Sequence, residues 1–180
     1  MPALVAGIHV LGDVKQDVDG RDIGERSDAV LRTAMPGHDE WDIMPDLLGV
    51  LETSLYVDAF ERACPFYEQV LGLNSIYRDA RLCAYDVGGR GVLLLFLRGG
   101  SLAPSHLPGG TVPPHDGHGP IHMAFSIAAG ALAEWEARLA EAGVAIESRV
   151  KWPRGGESIY FRDPDGHVLE LATPGLWPGY

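Results

Sequence analysis

From Leu48 onward the apolar positions run with a two-residue period, switch to a helical spacing, return to alternation three times, and then repeat that order. The pattern predicts a strand over Val50–Val57, a helix over Ala59–Leu71, and strands over Leu73–Arg78, Arg81–Val87 and Val92–Arg98. Asp58 is placed to cap the helix and Gly72 to end it. Gly88–Gly91, reading "GGRG", predicts a hairpin turn. Pro65 lacks the donor that a helix interior needs, so the helix is expected to bend or restart there. The second unit predicts a strand over Pro120–Ile127 and a helix over Gly130–Ala142. Leu132, Trp135, Leu139 and Ala142 share one face of that helix, and Gly143 closes it. Strands over Ala145–Trp152, Ser158–Arg162 and His167–Ala172 follow, the last two joined by the turn Asp163-Pro164-Asp165-Gly166. The chain thus carries an internal repeat of roughly 60 residues.

Boundaries follow from where this pattern stops. Module one spans residues 48–98, a Gly-, Pro- and His-rich linker loop 99–119, module two 120–174 and a tail 175–180, within a folded domain over 44–180. Residues 1–43 hold nine of the 25 acids and four of the 14 bases, with neither a strand nor a helix period over Asp17–Glu40. A poorly structured or loosely attached arm is expected there. Its "DGRD…PGHDE" wording resembles peptides read from upstream repeat DNA, which would make Met44 the natural start.

Charge and composition then narrow the partners. A net charge of −11 without a basic stripe repels phosphate backbones, which argues against nucleic acid. The longest apolar run, Val92–Leu97, is far short of the roughly 20 residues that cross a bilayer, so no membrane partner is expected. Met1–Leu11 has no basic region or cleavage site of a secretory signal, and the expected address is cytoplasmic. Cys64 and Cys83 form no spaced framework and read as small buried hydrophobes. No Gly-rich phosphate loop follows a strand, so no organic cofactor is implied, and the expected ligand is a small molecule.

Alternation also sorts the polar side chains. Leu51, Thr53, Leu55 and Val57 form one row of the first strand, and Glu52, Ser54 and Tyr56 the other. In the matching strand of module two, Ile121, Met123, Phe125 and Ile127 are the apolar row and His122 lies opposite. In the last strand Leu169 and Leu171 face the helix and Glu170 faces away. Three ligand-type side chains therefore lie on the faces remote from the helices. If the modules pair into one cup, Glu52, His122 and Glu170 converge, and a divalent cation would offset the repulsion between the carboxylates. Each has a plainer alternative: a hydrogen-bonded core histidine, a rim glutamate paired with an arginine, a solvated glutamate.

At these residues the chain resembles the vicinal oxygen chelate superfamily of glyoxalases, bleomycin-resistance proteins and extradiol dioxygenases. The resemblance is carried by "TSLYVDAFERACPFYEQVLGL" (Thr53–Leu73), "GPIHMAFSI" (Gly119–Ile127) and "SIYFRDPDGHVLELATP" (Ser158–Pro174), and covers Leu48–Pro174. It implies an α+β fold of two paired βαβββ modules forming a cupped, mostly antiparallel sheet with helices on the outer face. It also implies a divalent metal ion (Mn, Ni, Zn, Fe, Co or Mg) on Glu52, His122 and Glu170. Many members carry His or Gln where Glu52 stands, and the fourth ligand of glyoxalase-like enzymes falls on Leu94, which cannot bind metal. With a single histidine, the set differs from the two-histidine, one-carboxylate triad of iron oxygenases.

Glu170, Tyr160 and His115 are the catalytic candidates. Tyr160 would donate to an anionic substrate oxygen, or else be a tyrosine with a structural partner. His115, with Asp116 and His118 in "PPHDGHG", would act as lid or base, or else belong to a solvated turn. The resulting expectation is a metal-dependent lyase, isomerase, dioxygenase or transferase that chelates a small oxygen-bearing substrate and stabilises an enolate or alkoxide. The second expectation is a non-catalytic drug- or metabolite-binding protein, which the leucine at position 94 favours. A homodimer exchanging modules is expected over a self-contained monomer.

Overall fold

In the computed structural model, which describes residues 45–180, the alternating stretch of module one becomes strand β1 (Glu52–Val57), with Leu55 and Val57 buried. Helix α1 (Phe60–Pro65) follows, then β2 (Asn74–Arg78), β3 (Leu82–Val87) and β4 (Gly91–Leu97). The linker carries a short hairpin, β5 (Ser105–Leu107) and β6 (Gly110–Val112), where only a loop was expected; its three-residue strands are too short to show a period. Module two supplies β7 (His122–Ser126), α2 (Leu132–Glu141), β8 (Ile146–Lys151), β9 (Glu157–Arg162) and β10 (Val168–Ala172). The arm expected over residues 1–43, and the start at Met44, lie outside the described residues. No helix among the described residues is long and apolar enough to cross a membrane.

The repeat is exact in topology. One sheet runs β1-β4-β3-β2 and the other β7-β10-β9-β8. In each the first strand pairs parallel to the last and the remaining pairings are antiparallel. Even the irregularities correspond: the register shifts between Ser75 and Tyr77 in β2 and between Ile146 and Ser148 in β8.

Pro65 has the effect its chemistry demands. With no N–H to donate, it ends the α-helical segment, and Phe66–Val70 continue with a wider π-helical turn in which the Leu71 amide donates to the Phe66 carbonyl. Gly72 (φ 69°) and Gly143 (φ 70°) follow the two helices in the left-handed conformation, as expected. Asp58 is not the N-cap. Ala59 holds that position without a side-chain cap, because the Asp58 carboxylate is taken by an ion pair with Arg98.

One apolar cluster serves both modules. Leu55, Tyr67 and Leu95 of module one share it with Leu139, Phe161 and Leu169 of module two, and the Phe66 and Phe161 rings lie 6.4 Å apart. Polar contacts cross the same seam. The Tyr67 hydroxyl donates to Asp163 at 2.8 Å, and the Arg138 guanidinium donates to the Val70 and Gln69 carbonyls at the end of the first helix. The Asp163–Gly166 turn docks on the start of α1, where the Asp58 amide (2.8 Å) and Arg62 (3.2 Å) donate to Asp165. The helix-side faces of both sheets look into this shared core, and their other faces point away from it. Glu52 is on one and Glu170 on the other.

Candidate functional site

The outward face of the first sheet is concave. Glu52, Ser54 and Tyr56 of β1 and Leu94 and Phe96 of β4 floor a cavity of about 740 Å³, walled by Tyr77, Asp79 and Arg81 and by the linker through Ser105, Leu107 and His115. The linker hairpin thus builds one wall. His115 is fixed: its Nδ1 shares a 2.8 Å hydrogen bond with the Tyr56 hydroxyl, and its ring stands edge-on to Phe96 with centroids 4.5 Å apart. Burial, with Asp116 nearby, raises the Tyr56 pKa above its ordinary value, so Tyr56 stays a neutral phenol. The loop is anchored by Arg98, which donates to the Tyr56 and Gly117 carbonyls, and by the Gly99 amide donating to Asp116. His118 remains exposed and reaches Asp116 at 3.7 Å.

Gly117 lies against the Tyr56 ring. A Cβ there would stand 2.5 Å from Tyr56 Cδ2, so Gly117→Ala must turn the tyrosine away from His115. The expected cost is about 1–3 kcal/mol in thermal unfolding. His115 ring resonances should move in an NMR spectrum, and unmoved resonances would show that the contact is absent.

The outward face of the second sheet holds the other candidates. Glu170 stands directly opposite Tyr160 on β9, and its neighbour Val168 pairs with His122 on β7. His122 Nε2 lies 3.3 Å from Glu170 Oε2, while its Nδ1 is 3.2 Å from the Val168 carbonyl. A carbonyl only accepts, so Nδ1 carries a proton there and Nε2 is the ring nitrogen that faces the carboxylate. Glu170 is only 3 % exposed, and its Oε1 is buried without a hydrogen-bond partner. The Tyr160 ring stacks on His122 at 6.1 Å, and burial together with the Glu170 carboxylate pushes its phenol up to about 12.

The predicted residues therefore fall into two groups. His122, Glu170 and Tyr160 come together on the second sheet, whereas Glu52 and His115 share the first sheet's cavity. Among the described residues no three His, Cys, Asp or Glu side chains of the single chain gather as a metal-binding group. Leu94, at the fourth ligand position, lines the Glu52 cavity as an apolar surface. Sequence reasoning missed the Tyr56–His115–Phe96 cluster and the Arg98 anchor. Tyr56 does share the Glu52 row, but the loop that meets it is 59 residues away and has no periodicity to follow.

These geometries match known proteins. A family model described as the Glyoxalase/Bleomycin resistance protein/Dioxygenase superfamily matches residues 49–171. The chain is 29% identical over 128 residues to metallothiol transferase FosB of Bacillus licheniformis, covering 71% of this chain and 76% of that protein. The crystal structure of lactoylglutathione lyase from Agrobacterium tumefaciens superposes with a TM-score of 0.68 at 31% identity, covering 74% of this chain and 99% of that one. The fosfomycin resistance protein FosX of Listeria monocytogenes shares the fold with a TM-score of 0.52 at 20% identity, over 74% of this chain and 97% of that one. With its duplicated βαβββ sheets and polar outer rows, this chain belongs to the glyoxalase/bleomycin resistance protein/dioxygenase superfamily.

Proposed function

We propose that the protein is a divalent-metal-dependent enzyme acting on a small oxygen-bearing substrate, with each site completed by two copies of the chain. His122 and Glu170 of one copy and Glu52 of a second copy would hold the ion. The observation that carries this reading is the buried Glu170 carboxylate, which has one oxygen unpartnered and the other 3.3 Å from His122 Nε2. A buried carboxylate oxygen without a partner, beside an imidazole nitrogen, is a donor set that a divalent cation would satisfy. The backbone carbonyl on Nδ1 fixes the ring orientation, as the outer hydrogen bond of a metal-ligating histidine does. One imidazole and two carboxylates suit Mn, Ni, Zn, Fe, Co or Mg, and leave coordination positions for substrate because Leu94 supplies no donor.

When bound, the ion supplies Lewis-acid polarisation of a substrate oxygen. The chain's own groups provide the rest. Tyr160, neutral up to about pH 12, donates a hydrogen bond to an anionic substrate oxygen beside Glu170. His115, held through Nδ1 by Tyr56, presents Nε2 as the atom that takes or returns a proton in the facing half-site. Phe96, Leu94 and Leu107 exclude water around the substrate body. Metallothiol transferase FosB and lactoylglutathione lyase are enzymes by name, which supports catalysis over simple sequestration.

The test is a calorimetric titration of Mn²⁺ into the chelator-treated protein and into Glu52→Gln. The affinity of the variant should be weaker by roughly 10–100-fold, with an unchanged melting temperature of the metal-free protein. Equal affinities would remove Glu52 from the site.

A further inference from the structure

Behind the first sheet, on its helix side, the chain's two cysteines face each other. Cys64 of α1 and Cys83 of β3 are both buried, and their sulfurs lie 3.1 Å apart. Both are free thiols. Cys64 keeps 2 % exposure and Cys83 none. Cys64 lines a cavity of about 540 Å³ whose wall includes Glu68, Pro65 and Arg78. Arg78 is paired with Glu68 and donates to the Tyr85 hydroxyl at 3.3 Å. Cys83 does not line this cavity and lies behind Cys64.

We propose that Cys64 and Cys83 form a peroxide-responsive dithiol that closes to an intramolecular disulfide in the folded protein. Peroxide entering the cavity meets Cys64 first. Its sulfur attacks one peroxide oxygen, the O–O bond breaks, and Cys64 becomes a sulfenic acid while one water leaves. Cys83 sulfur then attacks the Cys64 sulfur, the S–O bond breaks, and the departing hydroxide carries off the Cys83 proton as a second water. The two thiols lose two electrons and the peroxide gains them.

Burial pushes the Cys83 thiol up to about 12, so it is a poor nucleophile toward reagents in solution. Contact compensates, because a sulfur already beside its target reacts at a high effective concentration. The sulfurs need to approach by only about 1 Å to reach disulfide bonding distance. The closed form would tie α1 to β3, the strand whose Leu82 lines the Glu52 cavity.

Mass spectrometry of the full-length reduced protein after equimolar hydrogen peroxide and alkylation tests this. The expected product is a monomeric chain, lighter by two hydrogens, that takes up no alkylating agent. It should yield one peptide pair linking Cys64 to Cys83, formed at least roughly tenfold faster than in urea. Its thermal midpoint should rise by about 5 °C or more and return on reduction. In Cys83→Ala, Cys64 should be trapped as a sulfenic acid by dimedone. Two free thiols, oxygen adducts without the two-hydrogen loss, disulfide-linked dimers, or equal rates in folded and unfolded protein would each overturn the proposal.

Discussion

Glu170→Ala should lose bound divalent ion, from about one per chain to less than roughly a tenth, and lower turnover by at least about 100-fold, with the fold retained. Glu170 is buried, with Oε1 unpartnered and Oε2 3.3 Å from His122 Nε2, so removing it takes away the most desolvated donor of the proposed set. The same desolvation sets the sign of a second readout. In metal-free protein a buried, half-satisfied carboxylate costs stability, so Glu170→Gln should melt at the wild-type temperature or above it. Added metal at 100 times its dissociation constant should raise wild-type stability by about 2.7 kcal/mol and leave the variant unmoved. Elemental analysis and a melting curve with and without Mn²⁺ check both statements. Unchanged metal content in Glu170→Ala would exclude Glu170 from the site.

Asp163→Ala should be the most destabilising single change, costing about 3–5 kcal/mol in chemical unfolding. The Asp163 carboxylate accepts from the Tyr67 hydroxyl and His167 Nδ1, both at 2.8 Å, and from the Asp165 and His167 amides. Tyr67 and His167 are fully buried, so the alanine leaves their donors without partners inside the core. Burial alone would raise the Asp163 pKa, but the hydrogen bonds from His167 and Tyr67 prevail and hold it below its ordinary value. A lowered carboxylate pKa contributes stability that is complete above the unfolded value, near pH 4, and is lost as the pH falls through the native value. Wild-type stability should therefore decline below about pH 4, and Asp163→Asn should flatten that decline. A variant with the wild-type acid slope would assign the effect to other carboxylates.

What the chain discloses by itself is the part governed by local periodicity. Every βαβββ strand and both helices follow from alternation, helical spacing and their terminal glycines, and the rows carrying Glu52, His122 and Glu170 emerge as drawn. The π-helical turn after Pro65 follows from a missing donor. The failures are non-local. Asp58 looks like a cap until Arg98, 40 residues away, takes its carboxylate. The linker hairpin is too short to have a period, and the fixing of His115 depends on Tyr56 and Phe96 from two separate strands. How the modules face each other is a further step, because both sheets have one apolar face whichever copy covers the other. The shared core of the single chain puts the helix sides together, with Glu52 and Glu170 on the other faces of two different sheets.

The division of the ligand set between two copies is tested most directly by mixing two variants, Glu52→Ala and Glu170→Ala, at a metal concentration where neither alone is loaded. After unfolding and refolding together at equal amounts, half of the dimers should be mixed, each with one intact and one doubly damaged site. Metal content and activity should return to about a quarter of wild type. If the mixture stays as empty and inactive as its parents, the site is not shared between copies and the account fails.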